Sequence, residues 1–198
     1  MLVTVSRVLS KKRPISEAKN NFDVNLFGLA RLTQEVLPHM RANKTGTIVN
    51  VSSVVGKTYF PFAAWYIATK HALEGWSDAL RLELAPFHIK VAIIEPGAIR
   101  TEFMDVAYGN AGEKLAAKSR NKDSPYSKYI ETLTKQQNQL EEYGSKPAVI
   151  SNLIVKASES KNPKRRYVAG FGARPMLFIR NWLGDGIVDR INLRMIQV

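Results

Sequence analysis

From Pro14 onward, apolar or weakly polar residues recur at intervals of three and four: Ile15, Ala18, Phe22, Leu26, Leu29, Thr33, Val36 and Met40. That spacing collects them on one face of a helix and predicts a helix over about 14–43. Pro14 suits a first turn, where an amide has no helical partner to lose, and Pro38 is expected to kink the far end. Gly46 releases the chain into Thr47-Ile48-Val49-Asn50-Val51-Ser52, a β-branched run that reads as a buried strand.

A second helix is predicted from about 64 to 85, with Leu73, Trp76, Leu80 and Leu84 on one stripe and Pro86 helping to end it. Lys90-Val91-Ala92-Ile93-Ile94-Glu95 is the next strand, closed by Pro96-Gly97. Apolar strands that alternate with helices indicate a parallel sheet, hence an α/β fold with crossover connections. Residues of about 102–145 are polar and weakly periodic, with a helix expected near 128–142. So long a stretch after a strand's carboxyl end reads as a substrate loop. A helix over about 147–160 and a short strand at Arg166-Tyr167-Val168-Ala169-Gly170 follow. The tail, 171–198, interleaves Met, Leu, Phe, Ile and Trp with Arg174, Arg180, Arg190 and Arg194. It is expected to pack over the substrate site or a partner subunit, with a membrane surface as the alternative.

Composition narrows the class. The chain has 198 residues, 45% of them hydrophobic, enough for one sizeable core. It contains no cysteine, which excludes disulfides and thiolate metal sites and suits a reduced, cytoplasmic setting. No apolar run reaches the roughly 18 residues of a membrane span, and no secretory leader is evident. The formal net charge is +12, but basic residues are spread along the chain rather than gathered in one patch. A solvated basic surface is therefore expected, and no nucleic acid is expected as partner.

The candidate chemistry centres on Tyr66-Ile67-Ala68-Thr69-Lys70. Residues four apart on a helix share a face, so the lysine ammonium can sit near the phenol. A phenol with an ordinary pKa of about 10 shuttles protons poorly near neutrality, and a nearby cation brings it toward the working range. Alone, this spacing also fits a simple surface pair. Context changes the reading. Thirteen residues earlier, Ser53 stands where the first strand ends, inside Asn50-Val51-Ser52-Ser53-Val54-Val55-Gly56. Strand carboxyl ends are where parallel α/β sheets bind ligands. A hydroxyl there can hold a carbonyl oxygen while the tyrosine gives or takes a proton. Ser52 reads as a turn or backbone-capping serine. Pro96-Gly97-Ala98-Ile99-Arg100-Thr101 lies at the next carboxyl end, where exposed amides could meet a carboxamide or phosphate. Asn25 sits mid-helix among apolar neighbours and reads either as a backbone-bonded asparagine or as part of the site.

Together and in this order, N-x-x-G at Asn25, N-V-S-S-x-x-G at Asn50, Y-x-x-x-K at Tyr66 and P-G-x-x-x-T at Pro96 resemble the short-chain dehydrogenase/reductase family. The resemblance covers about residues 14–170. It implies a doubly wound Rossmann-type fold and hydride transfer between NAD or NADP and a carbonyl or alcohol. It further implies that Tyr66 is the general acid/base, and that Lys70 lowers its pKa and bonds the nicotinamide ribose. Ser53 would orient the substrate oxygen, and Asn25 would support a relay water. Pro96, Gly97, Ile99 and Thr101 would lie along the nicotinamide end, Ile99 and Thr101 touching the carboxamide or a phosphate. No metal is implied. Assembly through the helices at about 14–43 and 64–85 into a homodimer or homotetramer is expected on the same ground.

The family's Gly-rich phosphate turn, T-G-x-x-x-G-x-G, and its N-N-A-G segment do not occur in this sequence. Those glycines let backbone approach a pyrophosphate at a helix N-terminus. The expectation is therefore an incomplete Rossmann domain lacking its N-terminal strands. It comprises an atypical segment 1–13 and a catalytic portion 14–198. Met1 to Arg13 carry four basic residues and no acid. Codons for them can be chosen so that a shifted frame spells a family-like V-G-Y-G-F-S-G-I-I-E-E-T, which suggests out-of-frame translation; a truncated paralogue is the alternative. A catalytically inactive fragment that keeps only oligomerisation and substrate-side surfaces is the rival functional reading.

Overall fold

The computed structural model describes residues 14–101 and 142–196. The segment 1–13, most of the expected substrate loop and the helix expected near 128–142 lie outside the described residues. Helix α1 spans Ile15–Phe22, a single π turn spans Asp23–Phe27, and helix α2 continues over Gly28–Ala42, passing through Pro38. Strand β1 follows at Gly46–Val51, then a short 3-10 turn at Val54–Gly56, helix α3 at Ala64–Leu84 and strand β2 at Ile89–Pro96. After the undescribed segment come helix α4 at Ala148–Glu159, strand β3 at Arg166–Ala169, helix α5 at Ala173–Phe178 and helix α6 at Gly184–Ile196.

The three strands form a parallel sheet in the order β1-β2-β3, as the alternating pattern predicts. Alternation along each strand sends side chains to two helical layers. Ile48 and Val91 face α3, packing with Leu80, Leu84 and Leu37. Val49, Val51, Ala92 and Ile94 face α4, packing with Ala157, Leu153 and Ile154. The sheet is thus sandwiched between helices, a Rossmann-type arrangement. One tie across the first layer is polar: the Asn50 amide donates to the Ser77 hydroxyl at 2.9 Å, fixing β1 against α3.

The long N-terminal helix departs from its expected orientation. Of the expected stripe Ala18 and Thr33 are fully buried, whereas Ile15 is 60% exposed and Phe22, Leu26, Leu29, Val36 and Met40 are only half-buried. Asn21, Asn25 and Leu37, outside that stripe, go fully inside. The π turn adds a residue to one turn and so rotates the face that follows it. The opposing surface of α3 also carries a hydrogen-bonding group, Thr69, which makes a buried asparagine tenable there.

The tail closes on the beginning of α3. Ala173, Met176 and Leu177 pack with Val54, Val55, Ala63, Tyr66 and Ile67. The first part of the tail, expected over the substrate site or a partner subunit, thus packs within the chain against the residues around Tyr66. The crossing is tight at Gly97. A Cβ there would collide with the Phe171 carbonyl oxygen and stand 2.9 Å from Ala173 Cβ. Gly97→Ala is therefore expected to push the tail off α3 and cost about 1–3 kcal/mol of stability. Urea unfolding of the two forms checks this, and an unchanged midpoint would contradict the packing described.

Candidate active site

Strand β1 ends at Val51 because Ser53 turns the chain. The Ser53 hydroxyl accepts from the Val55 amide at 3.3 Å, capping the 3-10 turn, and donates to the Pro96 carbonyl at 3.4 Å. It therefore bridges the carboxyl ends of β1 and β2, the rim where parallel sheets offer ligands a crevice. The capping role falls to Ser53 and not to Ser52. Strand alternation turns Ser52 inward, where it is buried with no hydrogen-bond partner for its hydroxyl among the described residues.

Tyr66 and Lys70 lie on the first turns of α3, whose N-terminus sits under the tail. The Lys70 ammonium donates to the Val51 carbonyl at 3.0 Å and stands 5.8 Å from the centre of the Tyr66 ring. Burial lowers the Lys70 pKa to about 8, while the charge of Glu74 works in the opposite direction. Asn25 is tied to the same turn: its amide donates to the Thr69 hydroxyl at 3.1 Å, and Thr69 donates to the Tyr66 carbonyl at 2.7 Å. The π turn that presents Asn25 is a feature often found at functional sites.

The Pro96–Thr101 segment is bound into the fold. The amides of Gly97, Ala98 and Arg100 donate to the carbonyls of Ala169, Phe171 and Ser145. The Gly97 amide is thus taken up by β3 and that of Ala98 by the tail. Among the described residues the amides of Ile99 and Thr101 meet no carbonyl, so they are the ones this segment could offer to a ligand.

Beneath Lys70 lies a buried ionic cluster that the sequence reading did not single out. Arg166 of β3 donates to Glu74 Oε2 through Nη2 at 2.9 Å and Nε at 3.1 Å, and to Asp78 Oδ2 at 2.6 Å. Lys57 reaches the same Glu74 oxygen at 3.3 Å. Glu95 Oε1 is 3.0 Å from Arg166 Nε, yet that proton points to Glu74, so the oxygen has charge proximity without a hydrogen bond. Two signals were available: an acid inside the apolar strand IKVAIIEP, and Lys70, Glu74 and Asp78 spaced by four along one helix face. Tyr59 was also missed. Its hydroxyl donates to Asp189 at 2.8 Å, and Asn192 donates to its carbonyl at 3.0 Å, tethering α6. The hydrogen bond to Asp189 is the leading cause that raises the Tyr59 hydroxyl to about 12.

Burial first, and the Glu74 charge second, push the Glu95 carboxyl up from its ordinary 4.5 to about 7, against the pull of Arg166 and Lys57. An acid that binds its proton more tightly when folded stabilises the fold at low pH. That stability is lost as pH rises through the interval from 4.5 to about 7. Glu95→Gln, which keeps the neutral shape, is expected to stabilise the protein at about pH 8 by about 1–2 kcal/mol more than at about pH 5, solvent screening allowed for. Urea midpoints at both pH values check this; an equal effect at the two would contradict it.

Comparison with known proteins agrees with this geometry. A family model described as short chain dehydrogenase matches residues 6–111, a little over half of the chain. The uncharacterized oxidoreductase YusZ of Bacillus subtilis is 34% identical over 169 residues, covering 85% of this chain and 59% of that protein. A short-chain dehydrogenase structure from Streptomyces avermitilis superposes with a TM-score of 0.67 at 29% identity, covering 96% of this chain and 63% of that one. A gluconate 5-dehydrogenase from Burkholderia cenocepacia, solved with NADP and tartrate, superposes with a TM-score of 0.52 at 25% identity over 59% of this chain and 46% of that one. The chain spans 59–63% of the length of the curated relatives it matches first. With the strand-end serine, the tyrosine–lysine turn and the parallel sheet in place, the chain belongs to the short-chain dehydrogenase family.

Proposed function

We propose that this chain carries the catalytic portion of an NAD(P)-dependent oxidoreductase acting between a carbonyl and an alcohol. The observation that carries the reading is the buried Lys70 ammonium, held by the Val51 carbonyl 5.8 Å from the Tyr66 ring at the carboxyl rim of the sheet. In the reducing direction Tyr66 protonates the substrate oxygen as its carbonyl carbon becomes a carbinol. The adjacent ammonium stabilises the phenolate left behind. Ser53, held at the rim by Pro96 and Val55, orients that oxygen. Asn25 acts through Thr69 on the backbone of the tyrosine turn.

The donor set fits the nicotinamide end of a dinucleotide. Lys70 and Tyr66 would hold the ribose, and Ile99 and Thr101 would supply amides to the carboxamide or a phosphate, with Pro96 and Gly97 shaping the wall. A bound nicotinamide supplies or accepts the hydride. The NADP-bound gluconate 5-dehydrogenase supports a nicotinamide cofactor, and NAD and NADP are both compatible with these residues. No Gly-rich turn that would cradle the pyrophosphate is present in the sequence.

Self-association fits the exposed faces. Ile15, Phe27 and Leu32 on the α1–α2 run and Leu82 on α3 are each at least half exposed. Such apolar side chains support a homodimer or homotetramer through these helices. No helix among the described residues is long and apolar enough to cross a membrane.

The rival reading, a non-catalytic piece, is favoured by the 59% share of its Bacillus subtilis relative that the chain spans. Tyr66→Phe discriminates, because it removes one hydroxyl and keeps the ring. In the longest translation product of the gene it is expected to lower kcat by about 10²–10⁴-fold with cofactor affinity nearly unchanged. Steady-state carbonyl reduction with NADH and NADPH measures the first, and isothermal titration the second. Near-normal turnover by the variant would overturn the assignment of Tyr66. Absence of turnover and of cofactor binding in the unaltered product would favour the rival.

A further inference from the structure

Glu74 stands one helical turn beyond Lys70 on the same face of α3, and both side chains are only 2% exposed. The turn after β1 closes over the two. A Cβ on Gly56 would lie 2.7 Å from Glu74 Cγ and 3.1 Å from the Lys70 carbonyl oxygen. The backbone at Gly56 therefore packs directly on the turn of α3 that joins the two residues. The Lys70 ammonium meets a neutral carbonyl, that of Val51, at 3.0 Å. A dipole alone compensates a buried cation poorly, so an anion is needed within reach.

We propose that Glu74 is the counter-charge that keeps Lys70 cationic inside the fold, which makes it a positioning residue for the site and not solely an anchor for β3. Its two oxygens are used differently. Oε2 takes Arg166 at 2.9 Å and Lys57 at 3.3 Å, whereas Oε1 is buried with no hydrogen-bond partner among the described residues. One oxygen of the buried carboxylate thus accepts no hydrogen bond among the described residues. Burial drives Lys70 toward its neutral form, down to about 8, and Glu74 is the carboxylate that opposes this. The charged surroundings are Asp78 on α3, Glu95 on β2, Arg166 on β3 and Lys57 on the turn after β1. Asp78 is engaged by Arg166 through Oδ2 at 2.6 Å and by Arg81 through Oδ1 at 3.2 Å, and Arg166 is shared between Asp78 and Glu74. Glu95, raised to about 7, is substantially protonated near neutrality. Glu74, one turn away and beyond direct ion-pair contact, is the buried carboxylate whose charge acts on Lys70. If Glu74 is removed, Arg166 and Lys57 remain as cations near an uncompensated ammonium.

The consequence for catalysis rests on the function proposed above, since only a charged Lys70 can stabilise a Tyr66 phenolate. The charge itself is measurable without substrate or cofactor. The lysine side chains of the protein can be ¹³C-labelled and titrated by NMR, with Lys70→Arg used to assign the Lys70 signal. Glu74→Gln is expected to move the Lys70 midpoint down by about 1 pH unit, a tenfold loss of ammonium. Lys57→Met, a change at a half-exposed position, relieves Glu74 of one cation and should move the midpoint up by a few tenths of a pH unit. A purely structural Glu74 would lower the unfolding temperature in Glu74→Gln and leave the Lys70 midpoint of that variant where it was. An unchanged midpoint in Glu74→Gln overturns the proposal. Should that variant fail to fold, an unchanged or lowered midpoint in Lys57→Met overturns it. Normal turnover by Tyr66→Phe would sink the catalytic reading and leave this one standing.

Discussion

A lysine ammonium buried to 2% exposure constrains nearly everything around it. It needs an acceptor, so β1 must stop at Val51 and leave that carbonyl turned toward α3. The proposed chemistry needs Tyr66 one turn earlier, and α3 supplies it by beginning at Ala64, after the loop that Ser53 starts. It needs negative charge nearby, and the next turn of α3 supplies Glu74. That carboxylate in turn requires Arg166 and Lys57, which join β3 and the post-β1 turn to the helix. The proposed proton chemistry at the rim of the sheet and the cohesion of its inner layer thus draw on the same charges. Functional groups of this kind tend to tax stability, and the raised Glu95 carboxyl is one visible cost.

How much of this was legible in the sequence follows from the range of each interaction. The strands, α3 and α4 are written in local periodicity, and the strands and those two helices stand close to where the pattern puts them. The tyrosine–lysine turn is local too, being one helical repeat. The buried face of α1–α2 is not, because a π turn rotates it and because Asn25 is admitted by Thr69, which lies 44 residues away. Apolar periodicity is blind to a face whose polar groups are satisfied across the fold. The Glu74–Arg166 pairing spans 92 residues. An acid in the apolar strand IKVAIIEP and acids at intervals of four on α3 announce that charge is being buried, but not what neutralises it. The assignment of Ser53 and Ser52 turned on alternation at a strand's last residue, where one step reverses inside and outside.

The tail connects the site to the chain's C-terminal helices. Ala173 is fully buried against the cluster that includes Tyr66, and Gly97 has given up its side chain to let residues 171–173 pass. Tyr59 holds α6 through Asp189 and Asn192 from the loop between Ser53 and Tyr66. The C-terminal helices are therefore coupled to the loop that runs between two of the proposed catalytic groups, Ser53 and Tyr66. A substitution in the tail can reach Tyr66 by packing alone.

The central claim is that this constellation handles the proton while a hydride passes between a nicotinamide and a carbonyl. The most direct measurement follows the hydride itself. NADH and NADPH deuterated at the transferable position are incubated with the longest translation product of the gene and a panel of aldehydes and ketones, and the products are analysed by mass spectrometry and NMR. The account predicts one deuterium on the carbinol carbon of the alcohol formed, and none when Tyr66→Phe replaces the unaltered protein. Cofactor binding by a folded protein without deuterium in any product, or deuterated alcohol formed equally well by the variant, would contradict it.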